Sequence, residues 1–168
     1  DIIPLVEFSR QNGFAIRFIE YMDVGNANDW TTKKLVSKKE ILETINARFA
    51  LKERGRNHDT APSVDYDFVD GIGDLGIIAS VTEPFCSSCT RARLTADGKV
   101  VTCLFGQVGH DVKALLRGGA SDEAIVEFLS AMWRGRTDRY SEERWQALRT
   151  ANYDPKSRKK IEMISLGG

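Results

Sequence analysis

The chain predicts an α/β opening followed by an α+β remainder, and three features carry that expectation. An apolar-rich run from Ile2 to Gln11 is broken by Asn12-Gly13 and followed at once by AIRFIEYM, the helix-glycine-strand order of an α/β unit. Two short strand-like runs, near 64–69 and 76–82, lead into a segment with a hairpin signal at Asp97-Gly98. From Asp111 onward the pattern turns helical.

Each element has its own reason. Ile2, Ile3, Leu5, Val6 and Phe8 suit the last turns of a buried helix. Residues 15 to 22 are dense in β-branched and aromatic side chains, which favour a strand, and DVGNANDW then carries loop chemistry. Ser37 to Glu40 (SKKE) is a capping box opening a helix with Ile41, Leu42, Ile45 and Phe49 on one face. Residues 52 to 63, KERGRNHDTAPS, are polar with Gly and Pro and read as a loop or an edge connection. Asp111 to Arg117 forms a short helix stopped by Gly118-Gly119. Ser121 caps another carrying Ile125, Val126, Phe128, Leu129, Met132 and Trp133. A last helix begins near Ser141, with Trp145 and Leu148 facing inward.

Composition narrows the function classes. With 168 residues, 42% of them apolar, the chain can bury the core of one domain or a piece of a larger one. Twenty-four basic residues cancel twenty-four acidic ones, so no global field draws the chain to nucleic acid or to an anionic membrane, and any anion site is local. There is no run of spanning length and no signal-peptide pattern in DIIPLVEFSR, so the expected setting is the cytoplasm. The opening at Asp1, inside a helical pattern, reads as the start of a fragment.

The chemistry concentrates in residues 84 to 106, PFCSSCTRARLTADGKVVTCLFG. The chain's three cysteines, Cys86, Cys89 and Cys103, stand at spacing C-x2-C-x13-C, with Arg91 and Arg93 just after the second. An odd number of cysteines cannot all pair within one chain, and in a reducing compartment clustered cysteines are more often metal ligands than disulfides. A hairpin about Asp97-Gly98 returns Cys103 to the C-x2-C pair, but its register decides what faces the sulfurs. A two-residue turn sets Ala92 opposite Cys103 and turns both arginines away. A three-residue turn over Ala96 to Gly98, with Gly98 left-handed, sets Arg93 opposite Val101 and Arg91 opposite Cys103. We expect the second, because it alone joins a soft metal centre to a fork that matches phosphate. The spacing leaves the metal open: His110 would complete a closed Cys3His zinc site, whereas three cysteines can hold a four-iron cluster with one iron open.

This segment resembles the GTP 3′,8-cyclases, the radical enzymes that begin molybdenum cofactor synthesis. The likeness extends to IRFIEYMDVGNANDW, GIIASVTEPFC, DRYSEER at 138 to 144 and the terminal M-x-x-L-G-G, and so covers nearly the whole chain. It implies the C-terminal part of a two-cluster enzyme: the end of a partial (β/α) radical-SAM barrel over residues 1–36, then a cluster- and GTP-binding extension over 37–168. In that family an N-terminal 4Fe-4S cluster cleaves S-adenosylmethionine to a radical that acts on GTP. The product is (8S)-3′,8-cyclo-7,8-dihydroguanosine 5′-triphosphate. A second 4Fe-4S cluster, whose ligands match Cys86, Cys89 and Cys103, binds the guanine through its open iron.

The same resemblance implies GTP contacts for Arg91, Arg93 and the Ala92 backbone, and a triphosphate and catalytic role for Arg17. It also implies an S-adenosylmethionine contact for Met22, a Gly167-Gly168 tail reaching the active site, and a homodimer as the full protein. Strand alternation puts Arg17 and Met22 on opposite faces unless the strand ends before Met22. This chain lacks the C-x3-C-x2-C motif that holds the radical-generating cluster, so it is expected to be inactive by itself. The alternative function is a zinc-stabilised binding module with Cys86, Cys89, Cys103 and His110 as ligands.

Overall fold

The computed structural model describes residues 1–166. Its first half is a four-stranded sheet in the order β1-β4-β3-β2, built from β1 (Ile16–Ile19), β2 (Leu51–Gly55), β3 (Val64–Phe68) and β4 (Asp74–Ile78). The pair β1 and β4 is parallel, while β4 with β3 and β3 with β2 are antiparallel. Two helices, α1 (Ile2–Asn12) and α2 (Lys38–Asn46), cover one face. Val6, Ile41 and Ile45 pack there against Val64, Tyr66, Phe68, Leu75 and Ile77.

Local chemistry sets the ends of these elements as expected. Gly13 adopts φ 68° and closes α1, a left-handed position that glycine takes without a Cβ clash. Ser37 and Glu40 form the reciprocal capping box at the start of α2. Four readings need correction. The run read near 76–82 is strand only within Asp74–Ile78, and residues 80–82 form a turn. The strand read over 15 to 22 spans only Ile16–Ile19. The helix α1 is buried on one side only, with Leu5 and Phe8 exposed and Phe8 against Phe14 at 5.8 Å. The KERG stretch, read as a loop or an edge connection, is the edge strand β2. Charged side chains are tolerated there because only one strand edge is paired, and they discourage pairing with another chain.

The same strand alternation that buries Leu75 and Ile77 sends Arg17, Ile19, Asp65, Asp74, Gly76 and Ile78 to the opposite face. That face is charged toward one end and apolar at the C-terminal ends of β1 and β4.

The second half begins with a 3-10 turn at Cys86–Ser88, followed by a small sheet of β5 (Arg93–Leu94), β6 (Lys99–Val101) and β7 (His110–Asp111). Helices α3 (Val112–Arg117), α4 (Asp122–Arg134) and α5 (Tyr140–Arg149) follow, with Asp111 and Ser121 capping the first two through their side chains. No residue of α4 is fully buried, so its apolar face is only partly covered.

Two buried carboxylates tie distant segments together, Glu20 within the first half and Asp23 across the two halves. The Glu20 carboxylate, 1% exposed, accepts from the backbone N–H groups of Lys38, Val81 and Thr82 and from the Thr82 hydroxyl. It thereby fixes the α2 N-terminus to the turn that follows β4 and leads into the cysteine segment. The Asp23 carboxylate accepts from Arg144, Lys160, Tyr140 and Tyr153. Around it Val24, Phe105 and Tyr140 form a second core, with Phe105 stacked on Tyr140 at 4.4 Å.

Among the described residues no helix is long and apolar enough to cross a membrane.

Candidate functional site

The hairpin settles the register. Arg93 pairs with Val101 and Leu94 with Val100, Gly98 has φ 82°, and the Thr95 N–H donates to the Lys99 carbonyl at 2.8 Å. This is the three-residue turn over Ala96, Asp97 and Gly98. Threonine 95 reinforces it, accepting from the Lys99 N–H at 3.0 Å through its hydroxyl. Formal pairing ends at Arg93, yet the alternation carries on, and Arg91, Arg93 and Cys103 all line one cavity.

That cavity, about 130 Å³, lies beyond the C-terminal ends of β1 and β4 and is mostly apolar. Cys86, Cys89 and Cys103 line it with Ile19, Met22, Ile78, Phe85 and Phe105, and Arg91, Arg93 and Arg136 add the charge. The three thiols are free and partly buried. The Cys86–Ser88 turn bends the chain so that the Cys89 N–H donates to the Cys86 carbonyl at 3.2 Å, turning both side chains of the C-x2-C toward one space.

Electrostatics distinguish the thiols. Burial alone pushes the Cys89 thiol up, but the N–H and the guanidinium of Arg91, with help from Arg136, outweigh it and hold Cys89 below the ordinary thiol range. The Arg91 Nη2 stands 3.4 Å from the Cys89 sulfur, and its guanidinium lies over the Phe85 ring at 5.1 Å. Cys103 is the opposite case: burial dominates and raises it, against a partial offset from the Phe105 N–H. A thiolate at Cys103 therefore needs a cation to compensate its desolvation, which a metal centre supplies.

Met22 lines the cavity, which the early end of β1 at Ile19 permits. Arg17 does not line it. Its side chain lies along the sheet face two residues before Ile19, 3.7 Å from Asp65 and 3.6 Å from Asp74, and crosses Gly76 so closely that a Cβ there would meet its Nε at 2.7 Å. Ala92 is exposed beside the cavity. Gly167 and Gly168 lie outside the described residues. His110 is exposed on β7, its ring edge-on to Phe128 at 6.3 Å.

Among the described residues, no three or more His, Cys, Asp or Glu side chains are gathered tightly enough to hold one metal ion. The Cys3His set is thus not assembled.

Sequence reasoning missed Arg136, which stands just before the DRYSEER stretch and whose side chain is 12% exposed. Nothing in its local pattern marks it, since the partner that brings it to the site, the Cys89 carbonyl, lies 47 positions earlier.

Fold and cavity together define a mixed α/β domain with a cysteine- and arginine-lined pocket at the C-terminal ends of a parallel strand pair. The family described as Molybdenum Cofactor Synthesis C matches residues 14–142, and the chain belongs to it. A GTP 3′,8-cyclase of Staphylococcus saprophyticus is 43% identical over 168 residues, 99% of this chain and 48% of the relative. One of Staphylococcus aureus is 44% identical over the same share of each. One of a Synechococcus species is 41% identical over 167 residues, 99% of this chain and 45% of the relative. The chain spans about half the length of the curated relatives it matches. The resemblance read from the sequence therefore holds at the level of the family, and the coverage agrees with a C-terminal part.

Proposed function

We propose that this chain is the C-terminal part of a GTP 3′,8-cyclase and supplies its substrate-side 4Fe-4S centre and GTP phosphate site. The observation that carries the reading is the shared cavity: three free thiols and three guanidiniums meet in one apolar space at the strand ends. In this reading Cys86, Cys89 and Cys103 hold the cluster. When bound, the cluster supplies an open iron as a Lewis acid toward the guanine.

The remaining roles belong to the chain. Arg91 and Arg93 bind the triphosphate with charge-assisted hydrogen bonds, and Ala92, an exposed residue, lies in the same stretch. The apolar wall of Ile19, Ile78 and Phe105 excludes water, which strengthens those contacts. Met22 faces the S-adenosylmethionine side. Arg17 reaches the triphosphate only by leaving Asp65 and Asp74, ion pairs of 3.7 and 3.6 Å that a phosphate can replace.

Residues 1–36 form the end of a partial radical-SAM barrel and 37–168 the extension, joined through the shared sheet in which β1 pairs with β4. The full protein is a cytoplasmic homodimer that also takes S-adenosylmethionine and a second 4Fe-4S cluster. The direct test is titration of GTP into anaerobically reconstituted protein, beside the Cys103→Ala variant. Binding that depends on Cys103 supports the reading, and equal binding by both proteins refutes it.

A further inference from the structure

The Cys89 and Cys103 segments are joined by a second linkage besides the hairpin, supplied from the loop between α4 and α5. Arg136 Nη1 donates to the Cys89 carbonyl at 2.6 Å, and its Nε donates to Asp138 Oδ2 at 3.3 Å. The same Asp138 oxygen accepts from the hydroxyl of Thr102, the residue next to Cys103. The Arg136 guanidinium is held from its other side by the Trp133 ring, 5.0 Å away at the end of α4. A bridge therefore runs from the Cys89 backbone through Arg136 and Asp138 to Thr102, and it closes a ring with the hairpin.

We propose that Arg136 and Asp138 are positioning residues that set the separation of Cys89 from Cys103. Neither side chain is a ligand in this assignment. Each acts on the ligands through their backbone or a neighbouring residue, as outer-sphere groups do in metal sites generally. Two neighbouring facts support the assignment. Arg136 itself lines the cavity, so its charge sits where thiolate charge would collect. Cys89 and Cys103 also lie on segments of little regular structure, a 3-10 turn and the residues just after β6, which fix neither position by themselves. The proposal rests on the cysteines being ligands for its functional meaning, but its geometric content does not need a bound metal.

The test uses the metal-free chain first. Arg136→Gln, Asp138→Asn and Thr102→Val are compared with the parent for the rate of alkylation at each cysteine, read by mass spectrometry under native conditions. Circular dichroism verifies that each variant is folded. Thr102→Val keeps the side-chain shape and removes only the hydroxyl, so it guards against general unfolding by the charged-residue variants. Release of the clasp should speed alkylation of Cys103 by about tenfold or more in all three, and a rate equal to the parent in the folded variants would overturn the proposal.

The second readout is iron loss to a chelator after anaerobic reconstitution. Each variant should lose iron about tenfold to a hundredfold faster, the range seen when outer-sphere partners of a metal site are removed. The Arg136→Gln/Asp138→Asn double variant should be no worse than the weaker single one, because both sever one bridge. Rates that multiply, as for independent sites, would contradict a single bridge. If the parent takes up no iron, the cluster reading fails while the alkylation comparison still decides the clasp.

Discussion

The Lys160 ammonium lies 2.6 Å from the carboxylate of Asp23, a residue 137 positions earlier in the chain, and both side chains are 1% exposed. Arg144 pairs with the other Asp23 oxygen, and Tyr140 and Tyr153 donate their hydroxyls. One carboxylate thus gathers the loop after β1, helix α5 and the segment that runs toward the C-terminus. Removing it leaves two cations buried without a counter-ion, so Asp23→Ala should cost about 3–5 kcal/mol in urea unfolding. A loss under 1 kcal/mol would show that the hub is not structural.

The same group sets an acid limit. Burial alone would raise Asp23, but Arg144, Lys160 and the two tyrosines overcome that and hold it at about 2, below its ordinary 3.8. The unfolded chain therefore takes up this proton first as pH falls. The stabilisation is whole above pH 4 or so and drains away toward about 2, amounting to roughly 2 kcal/mol at 1.36 kcal/mol per unit. Unfolding free energies measured between pH 5 and 2 should lose that component in the parent and not in Asp23→Asn.

Gly25 is a position in this loop where a side chain would be strained. Its φ is 70°, and a Cβ would run into the Glu162 carboxylate. That carboxylate accepts from the Asn26 N–H at 2.9 Å, and Asn26 also receives the Lys160 N–H at 2.8 Å. Gly25→Ala should destabilise the chain by about 1–3 kcal/mol. It should also speed tryptic cleavage after Lys159 and Lys160. Unchanged cleavage would mean that the loop does not hold the tail.

At the cavity, Arg91→Ala and Arg93→Ala should each weaken GTP binding by about 1.5–3 kcal/mol, the worth of a charge-assisted hydrogen bond. Calorimetry on reconstituted protein reads this directly. No change in either variant would leave the arginines structural, with Arg91 simply stacked on Phe85.

His110 separates the two metals. Exposed and leaning on Phe128, it should be dispensable, so His110→Ala should retain iron at the parent level. Loss of the metal in that variant would restore the Cys3His zinc site.

What the sequence disclosed and what it hid follow a physical rule. The capping box at Ser37, the glycine stop at Gly13 and the hairpin signal at Asp97-Gly98 were legible because their partners lie within a few residues. Turn chemistry allowed two hairpin registers, and only the demand that arginines and thiols share a face favoured the one observed. Strand β2 was not read as a strand because an edge strand needs no apolar alternation, and three of its five residues are exposed. The roles of Glu20, Asp23 and Arg136 were invisible for the opposite reason. Their decisive partners, Lys38 for Glu20, Lys160 for Asp23 and Cys89 for Arg136, stand 18, 137 and 47 positions away, and only the packed fold brings them together.

The central claim is that the three cysteines hold an open-iron cluster that binds GTP. The most direct measurement is metal content with an electron paramagnetic resonance spectrum on protein reconstituted without oxygen, before and after GTP. The account expects about four irons and four sulfides per chain, lost in Cys103→Ala, and a reduced-cluster signal that GTP perturbs. One tightly held zinc that excludes iron and ignores GTP would contradict it.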